Sequence, residues 1–426
     1  MKIAFAKKII SPEIGAKLGG YGLNDVSVCK YDELYLTAVC FYNGTKKIAI
    51  FGYDLLGIDQ CNCSRLRAAA AAALGVEDAC VILSCTHTHS GPNSRDRVAG
   101  NLLDKEYVEQ LLIWTKETAV ELANAEYVDV KSYFYSKNCD YNINRRFVTG
   151  DNRCSFLPFR RDMEKIADGI CDKELGGLAF FNAETNQPYC IIGNYSAHPL
   201  AGHAPGIGGL RISADYPGAF RRYIEQETGA NAVFLSGACG DTVPRGHETG
   251  VGAIEKVGSN LAMEAIDAVI CATRQPNCYA VASDALEATI EKVKLPRRAI
   301  CEVHEAYRGQ DEIETEIQVV SIGDVCFIGV PGELSNELGL EMKWHSPFRK
   351  TFILYCSTAY MNYLNCGNVF VQGGYEGRSQ YVGARSGLKL VNAAIDGAYR
   401  IHAQAFPDAE DTLKPLVVHV NNTGNC

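Results

Sequence analysis

Cys80-Val81-Ile82-Leu83-Ser84-Cys85-Thr86-His87-Thr88-His89-Ser90-Gly91-Pro92 is the stretch whose reading decides the fold. Its first half is a short apolar run, most simply a buried strand. Its second half is a polar loop with two histidines, leaving the strand at its C-terminal end. Open α/β sheets commonly place their chemistry at such ends. Immediately upstream, the Ala-rich segment Arg65 to Leu74 reads as a helix stopped at Gly75. Further upstream, Tyr35 to Tyr42, Asn43-Gly44 and Ile48 to Tyr53 read as a hairpin with a tight Asn-Gly turn.

Downstream the alternation continues. Lys105 to Ala125 is a helix candidate, followed by strand candidates at Val128–Tyr135, Leu178–Asn182 and Gln187–Ser196. Pro217–Gln226, Val251–Ala272 and Asn392–Ala403 read as helices; Ala232–Leu235, Ala280–Val293, Glu316–Ile322, Val325–Val330 and Phe352–Cys356 read as strands. No internal repeat or low-complexity linker interrupts the pattern. The expected fold class is α/β, with mixed β-sheets flanked by helices. Residues 1–407 are expected to form a single domain and 408–426 a short C-terminal tail.

Composition excludes several classes of function. A formal net charge of −9 is a poor match to a nucleic-acid or anionic-lipid surface. No apolar run approaches the roughly 18 residues a membrane span requires, so no integral membrane segment is expected. Met1 to Lys8 carries charges without the apolar stretch of a secretory signal. The 18 cysteines are scattered and form no Cys-x-x-Cys pair, which reads as reduced thiols in a cytoplasmic protein rather than a disulfide framework. A small-molecule substrate is the expected partner; homo-oligomerisation is left open.

Four loops carry candidate chemistry, each directly after an apolar strand. His87 and His89 can converge on one ion, because imidazole is the commonest protein ligand for zinc. Their plainer reading is a polar turn with two exposed histidines. His198, in Asn194-Tyr195-Ser196-Ala197-His198-Pro199, reads as a ligand or as a satisfied core histidine. His203 follows as a neighbour on the substrate side. Val330-Pro331-Gly332-Glu333 presents a carboxylate that either joins the histidines or complements the dipole of the following helix. Tyr360-Met361-Asn362-Tyr363 adds phenols that are ordinarily packing residues.

In order along the chain, Ile10-Ser11-Pro12, Gly20-Tyr21-Gly22, the Thr86 to Pro92 motif, Asn144-Arg145 and Ala197-His198-Pro199 resemble the motifs of the neutral ceramidase family. So do Asp215-Tyr216-Pro217-Gly218, Phe234 to Asp241, Pro331-Gly332-Glu333, Tyr363 and Gly374-Tyr375-Glu376-Gly377. The resemblance implies the catalytic-domain fold of that family and one zinc ion held by His87, His198, Glu333 and Tyr363. It makes His89 a proton-handling or oxyanion-stabilising neighbour, Arg145 a substrate or transition-state contact, and Tyr363 a group that could also stabilise an oxyanion. The implied activity is a zinc-dependent, amidase-like hydrolase in which metal-bound hydroxide attacks a C–N bond of an N-acyl or other small polar substrate.

The chain departs from the family at two places. The family's Gly-Asp-Val-Ser-Pro-Asn loop reads Gly240-Asp241-Thr242-Val243-Pro244-Arg245, with Val243 at the serine position and Thr242 expected to point elsewhere. The family's immunoglobulin-like C-terminal domain has no counterpart in the 426 residues. A rival reading keeps the metal but assigns lyase or isomerase chemistry on a hydroxylated molecule, held by Arg145, Arg146, Arg245 and Gly202-His203-Ala204-Pro205-Gly206-Ile207-Gly208-Gly209. A second rival is a non-catalytic, ligand-binding homologue.

Overall fold

The computed structural model describes residues 1–22, 25–95, 103–156, 169–203, 210–246, 249–300 and 307–407. The expected tail at 408–426 and the glycine-rich 204–209 lie outside the described residues.

Two sheets form the middle of the molecule. The larger has eight strands in the spatial order Asn231–Ser236, Pro188–Tyr195, Glu174–Asn182, Val128–Asn138, Lys2–Ile9, Tyr35–Tyr42, Lys47–Tyr53 and Val81–Cys85. The smaller has four: Leu286–Pro296, Glu312–Ile322, Val325–Gly329 and Lys350–Leu354. Alternation along the strands splits the apolar side chains between two layers. Ile48, Ile50, Val320, Ile322 and Phe327 meet between the sheets. On the outer face of the larger sheet, Ala49, Phe51 and Tyr53 pack with Leu66 and Leu111 from helices Gln60–Leu74 and Lys105–Asn124. Helices Asp215–Thr228 and Val251–Arg274 pack beside Ile191 and Phe234. On the outer face of the smaller sheet, Ile317 and Val319 pack with Leu338 and Leu390 of helices Asn336–His345 and Ser386–Ala405. The order is helix, sheet, sheet, helix, the mixed α/β architecture expected from the strand pattern.

Within the two sheets three strand pairs are parallel: Lys47–Tyr53 with Val81–Cys85, Pro188–Tyr195 with Asn231–Ser236, and Val325–Gly329 with Lys350–Leu354. Their C-terminal ends converge. The Ser236 hydroxyl donates to Thr86 O at 2.7 Å, the Tyr355 N–H to Ser236 O at 3.0 Å, and the Ser84 hydroxyl to Tyr355 O at 3.3 Å.

Local differences from expectation have local causes. The hairpin after Tyr42 closes over four residues rather than a two-residue turn, because the Asn43 side chain accepts from the N–H groups of Thr45 and Lys46. The strand expected to begin at Ala280 begins at Leu286. Lys2–Ile9, unread in the sequence, is a strand despite Lys7 and Lys8, whose ammonium groups pair with Glu225 and Glu117. No disulfide links the described cysteines, and no described helix is long and apolar enough to cross a membrane.

Candidate metal centre

All the candidate residues lie just beyond the C-terminal ends of the parallel pairs or on segments packed against those ends. The Thr86 and His87 N–H groups donate to Tyr53 O and Leu55 O, so the histidine loop hangs on the neighbouring strand's exit. His87 adopts φ 69°, a left-handed conformation that a non-glycine residue holds only when its surroundings enforce it. Cys356 and Asn362, on the loop after Lys350–Leu354, do the same at φ 45° and 60°. Gly20 touches this loop closely: a Cβ there would lie 2.1 Å from His89 O. Asp54 braces it from behind, receiving the Thr86 hydroxyl at 3.2 Å and both terminal nitrogens of buried Arg221.

His87, His89 and His198 come together with one ring nitrogen of each inside a 4.8 Å cluster. Each Nδ1 is committed to a backbone carbonyl: His87 to Leu56 O at 2.6 Å, His89 to Gly20 O at 3.0 Å, and His198 to Cys239 O at 2.5 Å. A carbonyl only accepts, so each of these Nδ1 atoms carries a proton and donates it, and each ring turns its Nε2 edge inward. The buried Nε2 atoms of His87 and His89 have no hydrogen-bond partner among the described residues. Burial, reinforced by neighbouring positive partners, pulls the His89 ring well below its usual range and the His198 ring down to about 4, so both stay neutral.

Glu333 closes the cluster. Its Oε2 lies 3.2 Å from His198 Nε2 and 3.5 Å from His87 Nε2. Tyr355 donates to the same oxygen at 3.3 Å, and Tyr360 donates to Oε1. Burial pushes this carboxyl up, but the adjacent histidines outweigh it and hold the group well below the usual carboxylate range. Tyr360 is itself fixed between Gly57 and the Arg95 guanidinium, which lies 4.2 Å from its ring centre. Glu333 and Tyr363 are register partners in a short parallel bridge, and the Tyr363 hydroxyl accepts from Arg145 Nη2 at 2.9 Å.

Three imidazole nitrogens turned toward one another, set against a buried carboxylate, make a donor set that could hold a metal ion. The sequence-derived residues His87, His89, His198, Glu333, Tyr363 and Arg145 are therefore brought into one region. Their order of contact differs from expectation in one respect: His89 sits in the nitrogen cluster beside His87 and His198. His203 lies farther out, exposed, stacked on Tyr21 with ring centres 4.3 Å apart. Arg146 and Arg245, held by the polar-ligand reading to face a substrate, bond instead to Glu376 and Asp140. The Thr242 hydroxyl points away as expected, donating to Ser196 O and accepting from Asn336, while Val243 pairs with Ile143 in a short antiparallel ladder.

Tyr355, Arg95 and Glu376 were not singled out as site residues in the sequence. Glu376 stood within a recognised motif, Gly374-Tyr375-Glu376-Gly377, whereas Tyr355 follows an apolar strand with nothing but its position to mark it.

No protein-family model and no curated protein matches this sequence. Solved structures do. A ceramidase complexed with C2 superposes with a TM-score of 0.77 at 16% identity, over 95% of this chain and 75% of that one. Neutral ceramidase from Pseudomonas aeruginosa superposes with a TM-score of 0.76, also at 16% identity, over 95% and 74% of the two chains. The resemblance read from short sequence motifs thus extends to the backbone, and this chain has a ceramidase-like fold.

Proposed function

We propose that this chain is a zinc-dependent hydrolase that cleaves the amide C–N bond of an N-acyl substrate. The observation that carries the reading is the set of three Nδ1-tied histidines whose Nε2 atoms converge beside Glu333. It is supported by the likeness in fold to proteins named for ceramide hydrolysis. His87, His198, Glu333 and Tyr363 hold the metal. A zinc ion there supplies a Lewis acid for the scissile carbonyl and brings water to a pKa of about 7.

The chain's own groups do the rest. His89, kept neutral by burial and with Nδ1 occupied by Gly20 O, offers Nε2 to take a proton from the attacking water and return it to the departing amine. Arg145 remains charged although buried, and its Nη2 sits on the Tyr363 hydroxyl. A cation and a phenol held together in this way can stabilise negative charge developing on a carbonyl oxygen. None of these steps uses a hydroxyl at Val243.

The purified chain, supplied with zinc and a panel of N-acyl amines, is expected to release a carboxylic acid and an amine, seen by mass spectrometry as addition of one water across the bond. Products of unchanged mass would replace hydrolysis with isomerisation. No turnover on any amide or ester, with zinc bound, would leave the ligand-binding reading in its place.

A further inference from the structure

Behind Tyr363 lies a buried charge cluster that neither the ligand set nor the proton transfers use. The segment Gly374–Ser379 places Glu376 at 0% exposure. Its Oε1 accepts from Arg145 Nε at 2.8 Å and its Oε2 from Arg146 Nη1 at 3.0 Å. Arg146 is anchored on its far side by Gln372 and Gly373 O, at 3.2 and 3.1 Å. Arg145 reaches forward, donating through Nη2 to Gly240 O and to the Tyr363 hydroxyl, both at 2.9 Å. Asn365 Nδ2 donates to Glu376 O at 3.2 Å, tying the segment to the strand that carries Tyr363. Gly374, at φ +90°, allows the approach: a Cβ there would stand 2.9 Å from Cys154 Sγ and 3.2 Å from Arg146 Nη1.

A guanidinium is a rigid planar fork, so fixing its Nε edge fixes where its other nitrogens point. The Glu376 carboxylate grips Arg145 on that edge, while two arginines share the one carboxylate. The cluster thus leaves positive charge in excess and directs it at the phenol oxygen.

We propose that Glu376 is a positioning residue for the metal centre: it orients Arg145 so that Nη2 holds the Tyr363 hydroxyl at its ligand position. The inference rests on Tyr363 being a zinc ligand, as proposed above. Groups that orient metal ligands characteristically change metal affinity about 10- to 100-fold when removed.

The test is a double-mutant cycle on zinc affinity, measured on the full chain by competition with a chromophoric chelator, so that no substrate is needed. Glu376→Gln should weaken zinc binding about tenfold or more. In a Tyr363→Phe background the same change should matter by no more than about twofold, because the group it acts through is gone. An unchanged affinity in E376Q, or an undiminished effect in the Tyr363→Phe background, would overturn the positioning role and leave the zinc site standing. A wild-type chain that binds no zinc would instead overturn the functional reading, and this role with it. Should E376Q lack the native near-ultraviolet circular dichroism, Glu376→Asp, which keeps the charge but retracts it by one methylene, is read by the same two outcomes.

Discussion

The three parallel strand pairs and the antiparallel body of the sheets are built on opposite terms. The exits of the parallel pairs hold buried Nε2 atoms of His87 and His89 with no hydrogen-bond partner among the described residues, a buried carboxylate and backbone in left-handed conformations at His87 and Cys356. The antiparallel body pairs its charges off. Where Val128–Asn138 and Glu174–Asn182 meet the smaller sheet, for example, Glu174 is held by Lys343 at 2.9 Å and by Lys350. Strain and unsatisfied polar atoms cost stability, so they persist where a function needs them and the surrounding structure can enforce them. Substitutions at the exits should therefore damage metal binding and turnover more than folding, and substitutions in the body the reverse.

The largest effect is expected from His198→Ala. It removes a ligand whose ring is held by Cys239 O and Thr242 O, and stoichiometric zinc should be lost while the fold persists. Elemental analysis together with far-ultraviolet circular dichroism reads both. Next, His89→Ala should lower kcat about 10²- to 10⁴-fold with zinc retained, as befits a proton carrier. Loss of zinc in that variant would make His89 a ligand instead. Tyr360→Phe deletes the hydroxyl on Glu333 Oε1 and should weaken zinc binding about 10- to 100-fold in a chelator competition.

The smallest effect on the site should come from the body. Burial raises the Glu174 carboxyl, but Lys343 and Lys350 outweigh it and hold it at about 2, against 4.5 ordinarily. A carboxyl depressed in the folded state stabilises fully above its unfolded value. That contribution, about 3 kcal/mol at most, disappears as pH falls from about 4.5 toward 2. Glu174→Gln should flatten this part of the stability–pH curve measured by urea unfolding, and leave zinc affinity unchanged. A change in zinc affinity there would break the separation of site from body.

The same contrast explains what the sequence makes legible. An apolar run that ends in a polar loop is visible residue by residue, so the strands before His87, His198 and Glu333, and the α/β class, can be read directly. The acceptors that set the histidine tautomers are the carbonyls of Leu56, Gly20 and Cys239. Every residue has a carbonyl, so no letter of the sequence marks them. Tyr363 is distinguishable from other tyrosines only through the family motif, and Tyr360 and Glu376 acquire their roles from partners 27 and 231 residues away. Lys2–Ile9 escaped because Lys7 and Lys8 break its alternation, and they are tolerated by virtue of partners in remote helices.

Zinc content per chain is the most direct test of the central claim that the converging histidines and Glu333 form a metal centre. Measured on the wild-type protein and on His198→Ala after equilibration with zinc and removal of excess, it should be one in the first and none in the second. Equal contents in the two proteins, or no zinc in either, would contradict the account.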